Sequence, residues 1–510
     1  MLVGGFATLL LAIFARLMRY DFKRDEQLYA APVALLSDFN LYADVWYNHL
    51  PGSAWLFYWM SPLAGDQVLL AARLGVFFGW IIFAAAVFWV SYKLTRSLLM
   101  TVLSSLLVLT NDAFLTVAGM TATNNFLPLP FAYLALGLFV LGIREKEPDR
   151  VYIGLSGVCL SIAATIKVSA VGFIAPVVMA AFFLPMHLGF KKRITQVVVP
   201  LAIGGIVAAL PVLIMFASDP DLFIAHVLGF HTGPHPAYWA DRAASGAETA
   251  ALAFSERALL GYLVLTGGAN IVLALVVLSI GLMIFTSTGS WRGLLNGPVF
   301  VVAAVFIVTL ILSLAPKPSF PQYFAPPVVA LTILAPLLFS VASEKTRQQL
   351  TPLMLSACVV LIVINLPRLT QDLAKVASPN SWTTTKVHQA GQKIADQIDQ
   401  AGLQGKVATL MPIYALEGGL DVYPEFATGQ FVFRVAGYLS PELEAQYVVV
   451  QPDKVEAMFD QDPPAAVFVG FEPDFETPLR IYAEKNNYRR VDDLGISDRY
   501  GDGVLYLRRE

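Results

Sequence analysis

The sequence predicts an α-helical polytopic membrane protein that ends in a water-soluble α/β domain. Three observations carry this prediction. Hydrophobic residues fill 57% of the 510 positions and charged residues only 14%, where an average soluble domain carries roughly 25% charged residues. The charge is concentrated at the end: residues 1–370 hold 37 charged side chains and residues 371–510 hold 34. The first part also contains eleven apolar runs near the roughly 20 residues that cross a bilayer. This composition excludes a soluble enzyme, a disordered chain and a disulfide-rich secreted scaffold. A net charge of −3 gives no reason to expect nucleic acid as a partner. Cys159 and Cys358 each stand inside an apolar run and read as small core residues.

The runs are 2–18, 68–91, 97–115, 125–143, 151–166, 168–186, 195–217, 269–287, 297–315, 323–342 and 350–367. The first lacks basic residues ahead of it and reads as a span, not a cleaved leader. Placing the N-terminus in the cytoplasm puts every short basic loop on the cytoplasmic side, as membrane topology favours. Those loops carry Lys93 and Arg96, Arg144 to Arg150, Lys191 to Arg193, Arg292, and Lys345 with Arg347. Eleven spans then leave the two long loops, 19–67 and 218–268, and the whole of 371–510 outside. For a bacterial inner-membrane protein, outside is the periplasm. Long ordered loops tend to carry function, so the working face is expected there.

The terminal domain is expected to be small and α/β. Residues 384–401 show helical periodicity through Val387, Ile394 and Ile398. Val407–Met411, Tyr447–Val450, Ala466–Val469 and Val504–Leu507 read as strands. It shows no phosphate-cradling glycine loop and no metal-ligand spacing, so packing or acceptor docking is its expected role.

The first long loop is the most informative segment. It carries Asp21, Asp25, Glu26, Asp38 and Asp44 beside Tyr29, Tyr42, Trp46 and Tyr47. Residues 26–37 predict a short interfacial helix with Leu28, Ala31, Leu35 and Leu36 toward lipid. Asp25 and Glu26 directly follow a span, where partial desolvation raises a carboxylate's pKa and suits it to proton abstraction.

The run Arg24-Asp25-Glu26-Gln27-Leu28-Tyr29, followed by Asn48-His49-Leu50-Pro51-Gly52, resembles the first external loop of the GT-C glycosyltransferases. It is most similar to the protein O-mannosyltransferase-like group, which includes the lipid A aminoarabinose transferases. The span count, Lys167 after Thr165-Ile166 and the run Pro321-Gln322-Tyr323-Phe324 extend the resemblance along the chain. The resemblance implies a GT-C-like fold and transfer of a sugar from a polyprenyl-phosphate carrier to an acceptor hydroxyl, with inversion. It makes Asp25 the base, with Glu26 as the adjacent alternative. It places Tyr29, Asn48, His49, Gln322 and Tyr323 around the substrates. The acceptor is a glycan, a lipid or a protein.

A lipid-phosphate leaving group calls for cations near the membrane surface. Lys167 is the first candidate, being an ionisable residue between two apolar helices, although a snorkelling lysine has the same signature. Arg242, Arg257 and Lys317 are the others. Some relatives use a divalent metal, and His226, His231 and His235 are the weak alternative for one; the prolines and glycines between them forbid a single helical face. Relatives also place an acid near the fourth span. Here Thr123, Asn124 and Asn125 stand there, and Asp112 is the nearest substitute. The rival readings are a flippase of a lipid-linked sugar, which would show matched halves and mid-depth acids, and an inactive scaffold of the same fold.

Overall fold

The computed structural model describes residues 2–245, 253–289, 297–491 and 494–509. Arg292, one of the basic loop residues, and 246–252 of the second long loop lie outside the described residues.

A helix stands at each of the eleven apolar runs. Six are long and apolar enough to cross a membrane by length and composition: Val68–Thr95, Phe190–Ser218, Ala269–Thr288, Gly297–Leu314, Pro321–Val341 and Glu344–Leu373. Leu98–Leu109, Pro128–Arg144, Arg150–Ile166 and Val168–Phe183 are shorter apolar helices. The run 97–115 ends as helix at Leu109 because Asn111 turns the chain: its side-chain oxygen accepts from Ala113 N at 2.9 Å. Small residues set the closest crossing. A Cβ on Gly157 would stand 2.1 Å from the carbonyl of Leu201, and one on Gly204 would stand 2.0 Å from that of Gly154. Backbones approach this closely only where side chains are absent.

The terminal domain is α/β. Val407–Ala408 pairs in parallel with Ala466–Val469, which pairs antiparallel with Val504–Leu507, and Arg489–Val491 closes the sheet. Helix Thr383–Gln400 buries Val387, Ile394 and Ile398 as its periodicity predicts. One strand expectation is overturned and one strand was not expected. Arg489–Val491 is a strand that the sequence pattern does not mark, and Tyr447–Val450 is not a strand. The latter segment turns to the membrane domain instead: the Tyr447 hydroxyl donates to Ala225 O at 2.7 Å, and His226 Nε2 donates to Gln446 O at 3.2 Å.

The first-loop helix runs Arg24–Ala34. Leu28, Ala31 and Leu35 are buried in protein and do not face lipid. The terminal domain covers this helix: Gln27 Nε2 donates to Leu410 O at 3.1 Å and to Gln430 Oε1 at 2.8 Å. Arg24 pairs with Glu472 at 2.5 Å and stacks on Tyr500 at 4.0 Å. Interfacial amphipathicity and burial beneath a second domain leave the same apolar pattern, so the pattern alone does not separate them.

Candidate active site at the junction of loops and domain

A cavity of about 1340 Å³ opens where both long loops, the start of helix Pro321–Val341 and the terminal domain meet. Asp25, Tyr29, Asn48, His49, Lys167, His231, His235, Arg242, Lys317, Gln322 and Tyr323 all line it. These residues are drawn from segments almost 300 positions apart, and each of them is a candidate that the sequence alone puts forward.

Asp25 owes its aim to its neighbour. It occupies the first turn of Arg24–Ala34, and Glu26 points the other way into the core. Both Glu26 oxygens meet Arg73 at 2.9 Å, and they also accept from the backbone N–H groups of Lys23 and Ala122. Glu26 therefore anchors the helix and is absent from the cavity, which removes it as the alternative base. Among the described residues Asp25 has no ion-pair or hydrogen-bond partner, whereas the other lining carboxylates, Glu472 and Asp474, pair with Arg24 and Arg242. The Asp25 carboxylate faces the cavity, yet the protein around it displaces most hydrating water. Burial accordingly pushes its carboxyl above the ordinary range, Arg434 pulls it back, Glu26 raises it, and Lys23 and Arg24 lower it.

Lys167 follows the C-terminal end of helix Arg150–Ile166. Its Nζ donates to Asn125 Oδ1 at 2.5 Å and lies 5.1 Å from the Tyr323 ring centroid. A lysine held by a side-chain carbonyl and an aromatic face, against a cavity, is positioned rather than snorkelling. Gly52 explains the Pro-Gly motif: a Cβ there would stand 2.6 Å from Thr165 O. Helix Gly52–Ala64 thus seats directly on the turn that carries Lys167, and brings His49 with it. The Tyr29 hydroxyl donates to Asn124 Oδ1 at 2.9 Å and lies 2.7 Å from His49 Nε2. Burial, with His231, Lys167 and His235 nearby, keeps His49 well below the usual imidazole range and therefore neutral.

Three expected site residues lie elsewhere. Arg257 is buried and donates to the carbonyls of Leu314 and Ala315, closing the end of helix Gly297–Leu314. Asp112 pairs with Arg368 at 2.7 Å, outside the cavity. His226 is fully buried, with its nitrogens against Tyr47 and the Gln446 carbonyl. The three-histidine metal alternative fails with it. His231 gives Nε2–H to Asn48 O at 2.9 Å, and the His231 and His235 rings stand 6.1 Å apart. Among the described residues no three His, Cys, Asp or Glu side chains are placed to hold a metal ion.

Sequence reasoning misses the terminal domain's share. Gln430, Phe431, Arg434, Glu472 and Tyr500 line the same cavity. No local motif marks them. The one available signal is Arg434, an isolated cation in the apolar stretch Phe431-Val432-Phe433-Arg434-Val435-Ala436.

No protein-family model and no curated protein matches the chain. Solved structures do. ArnT from Cupriavidus metallidurans in its apo state is 13% identical, with a TM-score of 0.64, covering 99% of this chain and 98% of that one. The same protein bound to undecaprenyl phosphate is 14% identical, with a TM-score of 0.62, covering 99% and 97%. The fold is a GT-C fold. It extends over the whole chain, terminal domain included, and it is the fold of a multi-pass membrane protein. Within this GT-C frame the cavity lies between the helical part and the α/β domain.

Proposed function

We propose that the chain is a GT-C membrane glycosyltransferase. It moves a sugar from a polyprenyl-phosphate carrier to an acceptor hydroxyl on a glycan, lipid or protein. The reaction takes place on the periplasmic face of a bacterial inner membrane, where the long loops and the residues from 371 onward are expected to lie. The observation that carries this reading is the placement of Asp25, a carboxylate without a partner among the described residues, in a large cavity that also presents Lys167 and Lys317. The similarity to ArnT, one structure of which holds undecaprenyl phosphate, supports the choice of donor.

The chemistry follows from the charges. The acceptor hydroxyl attacks the anomeric carbon from the side opposite the carrier phosphate. The carbon–oxygen bond to phosphate breaks as the new one forms, which inverts the centre. Asp25 takes the hydroxyl proton, and its raised pKa makes it the stronger base. The phosphate leaves with its electron pair, and the lysines offset the charge it gains. The base must be ionised. Transfer is therefore present above the Asp25 pKa and lost as pH falls through it, at a pH above the usual carboxylate range.

The test offers wild type and Asp25→Asn, purified in detergent, a pool of polyprenyl-phosphate sugars and a membrane extract as acceptor. Transfer by wild type alone supports the reading, with a loss in the variant of about 10²-fold or more. Equal transfer by both removes Asp25 from the mechanism. Translocation of the lipid without transfer makes the protein a flippase, and neither activity makes it a scaffold. Loss of activity with a chelator, restored by one cation, would reinstate a metal.

A further inference from the structure

One main-chain carbonyl sets the hydrogen-bond pattern of the cavity wall beside Lys167. Ile166 O can only accept, and the Asn124 amide nitrogen lies against it at 3.5 Å. The other end of that amide, its oxygen, is then the one that meets the Tyr29 hydroxyl, which donates to it at 2.9 Å. A hydroxyl has one proton to give. With that proton spent on Asn124, the 2.7 Å contact between the Tyr29 oxygen and His49 Nε2 requires the imidazole to be the donor. His49 therefore carries its proton on Nε2. Burial, with His231, Lys167 and His235 nearby, keeps the ring neutral, so Nδ1 holds a free lone pair. Among the described residues no group donates to Nδ1, and the atom is not sealed inside the protein: His49 is half-buried and lines the cavity.

The place of this acceptor decides what it meets. The Tyr29 ring stacks on that of His49 at 4.8 Å, and Tyr29 stands one turn from Asp25 on helix Arg24–Ala34. Through Asn124 the same contacts reach Ile166, and the neighbouring Asn125 takes the Lys167 ammonium. His49 is thus tied to the segment of the proposed base and to the turn of the cation proposed for the carrier phosphate. In an inverting transfer the base and the leaving group lie on opposite faces of the sugar ring, so the sugar occupies the space between them. A sugar presents hydroxyl donors, which a neutral nitrogen lone pair accepts. A phosphate oxygen in the same place would set lone pair against lone pair. We infer that His49 is a donor-binding residue whose bare Nδ1 accepts a hydrogen bond from a hydroxyl of the transferred sugar. The inference rests on the proposed transfer reaction. It gives the chain Ile166–Asn124–Tyr29–His49 a task, which is to hold one tautomer so that this wall reads a hydroxyl and not a phosphate.

Two measurements on the full-length protein in detergent test this. The first needs no turnover. Nitrogen NMR of isotope-labelled histidine, read by difference from His49→Gln, should show a protonated Nε2 and a bare Nδ1. The opposite tautomer, or a doubly protonated ring, overturns the inference. The second is kinetic. Glutamine keeps an amide nitrogen near the position of Nε2, against Tyr29, and leaves no acceptor at that of Nδ1, whereas asparagine places its oxygen near Nδ1. His49→Gln should lower kcat/KM about tenfold for the polyprenyl-phosphate sugar that wild type uses. His49→Asn should recover part of that loss, and the Kd for sugar-free undecaprenyl phosphate should be the same in both. Equal losses in the two variants make His49 structural and overturn the inference. So does a raised Kd for undecaprenyl phosphate, which would put the phosphate at this ring. Wild type that transfers from no carrier defeats the proposed reaction instead, and the ring spectrum separates that failure from a wrong tautomer.

Discussion

Arg73 and Glu26 close a two-point ion pair in which neither side chain is exposed, with both nitrogen–oxygen distances at 2.9 Å. Arg73 also donates to the carbonyls of Leu17 and Met18 at the end of the first helix. One guanidinium thus joins the first span, the first-loop helix and helix Val68–Thr95. Because Glu26 is committed to the core, the preceding residue, Asp25, faces the cavity.

Removing one member of such a pair strands a buried charge, which costs about 3–5 kcal/mol. Glu26→Gln and Arg73→Met are each expected to destabilise the protein by that order, read as denaturant or thermal unfolding in detergent. Replacing both together should cost less than the sum. Single variants as stable as wild type would refute the anchoring role.

Gly52→Ala places a methyl group where only 2.6 Å separates it from the Thr165 carbonyl. The atom in the way is backbone, so the helix beginning at Gly52 must shift and His49 and Lys167 move apart. Transfer should fall about tenfold or more, as small misplacements at a site do, with the secondary structure by circular dichroism intact. Full activity in this variant would mean that the close approach is not needed.

Lys167→Met removes a cation held by Asn125 and Tyr323. A charged hydrogen bond to phosphate is worth about 1.5–3 kcal/mol, so the Kd for undecaprenyl phosphate should rise at least about tenfold. Native mass spectrometry reads this without any turnover. An unchanged Kd would move the phosphate to Lys317 or elsewhere.

Glu417, fully buried in the terminal domain, accepts from Leu69 N at 2.7 Å at the start of helix Val68–Thr95 and from His388 Nδ1 at 3.0 Å. Burial raises its carboxyl to about 7 from an ordinary 4.5, with the Leu69 and His388 contacts pulling the other way. The folded-state pKa lies above the unfolded one, so the folded form holds the proton more tightly. The stability this contributes is full below about pH 4.5 and is lost as pH rises through about 7. Domain docking, followed by hydrogen exchange at Leu69 and its neighbours, should loosen from pH 5 to pH 8. Glu417→Gln should flatten that dependence; the same slope in the variant would assign it to another group.

Much of this molecule is legible along the chain because its determinants are local. Length and apolarity mark each helix, and the acidic pair, the Pro-Gly motif and Lys167 stand close to the segments they serve. The choice between Asp25 and Glu26 is not local. Adjacent carboxylates on a helix differ by about 100° in direction, and only the position of Arg73, 47 residues further on, decides which is consumed. The same holds for Asp112 and Arg257. Each looks like an available charge in sequence, and each is taken, by Arg368 and by the carbonyls of Leu314 and Ala315.

The sequence by itself determined the membrane class of this protein, the positions of its helices and the loops where its chemistry was to be sought. Solvent supplies the reason: a bilayer imposes length and apolarity on every span, and both can be read one residue at a time. Only the tertiary structure decided which charges face the cavity and that the terminal domain contributes to it. An ionisable side chain declares its role through its partners, and partners such as Arg24 with Glu472, or Gln27 with Gln430, are brought together from more than 400 positions apart.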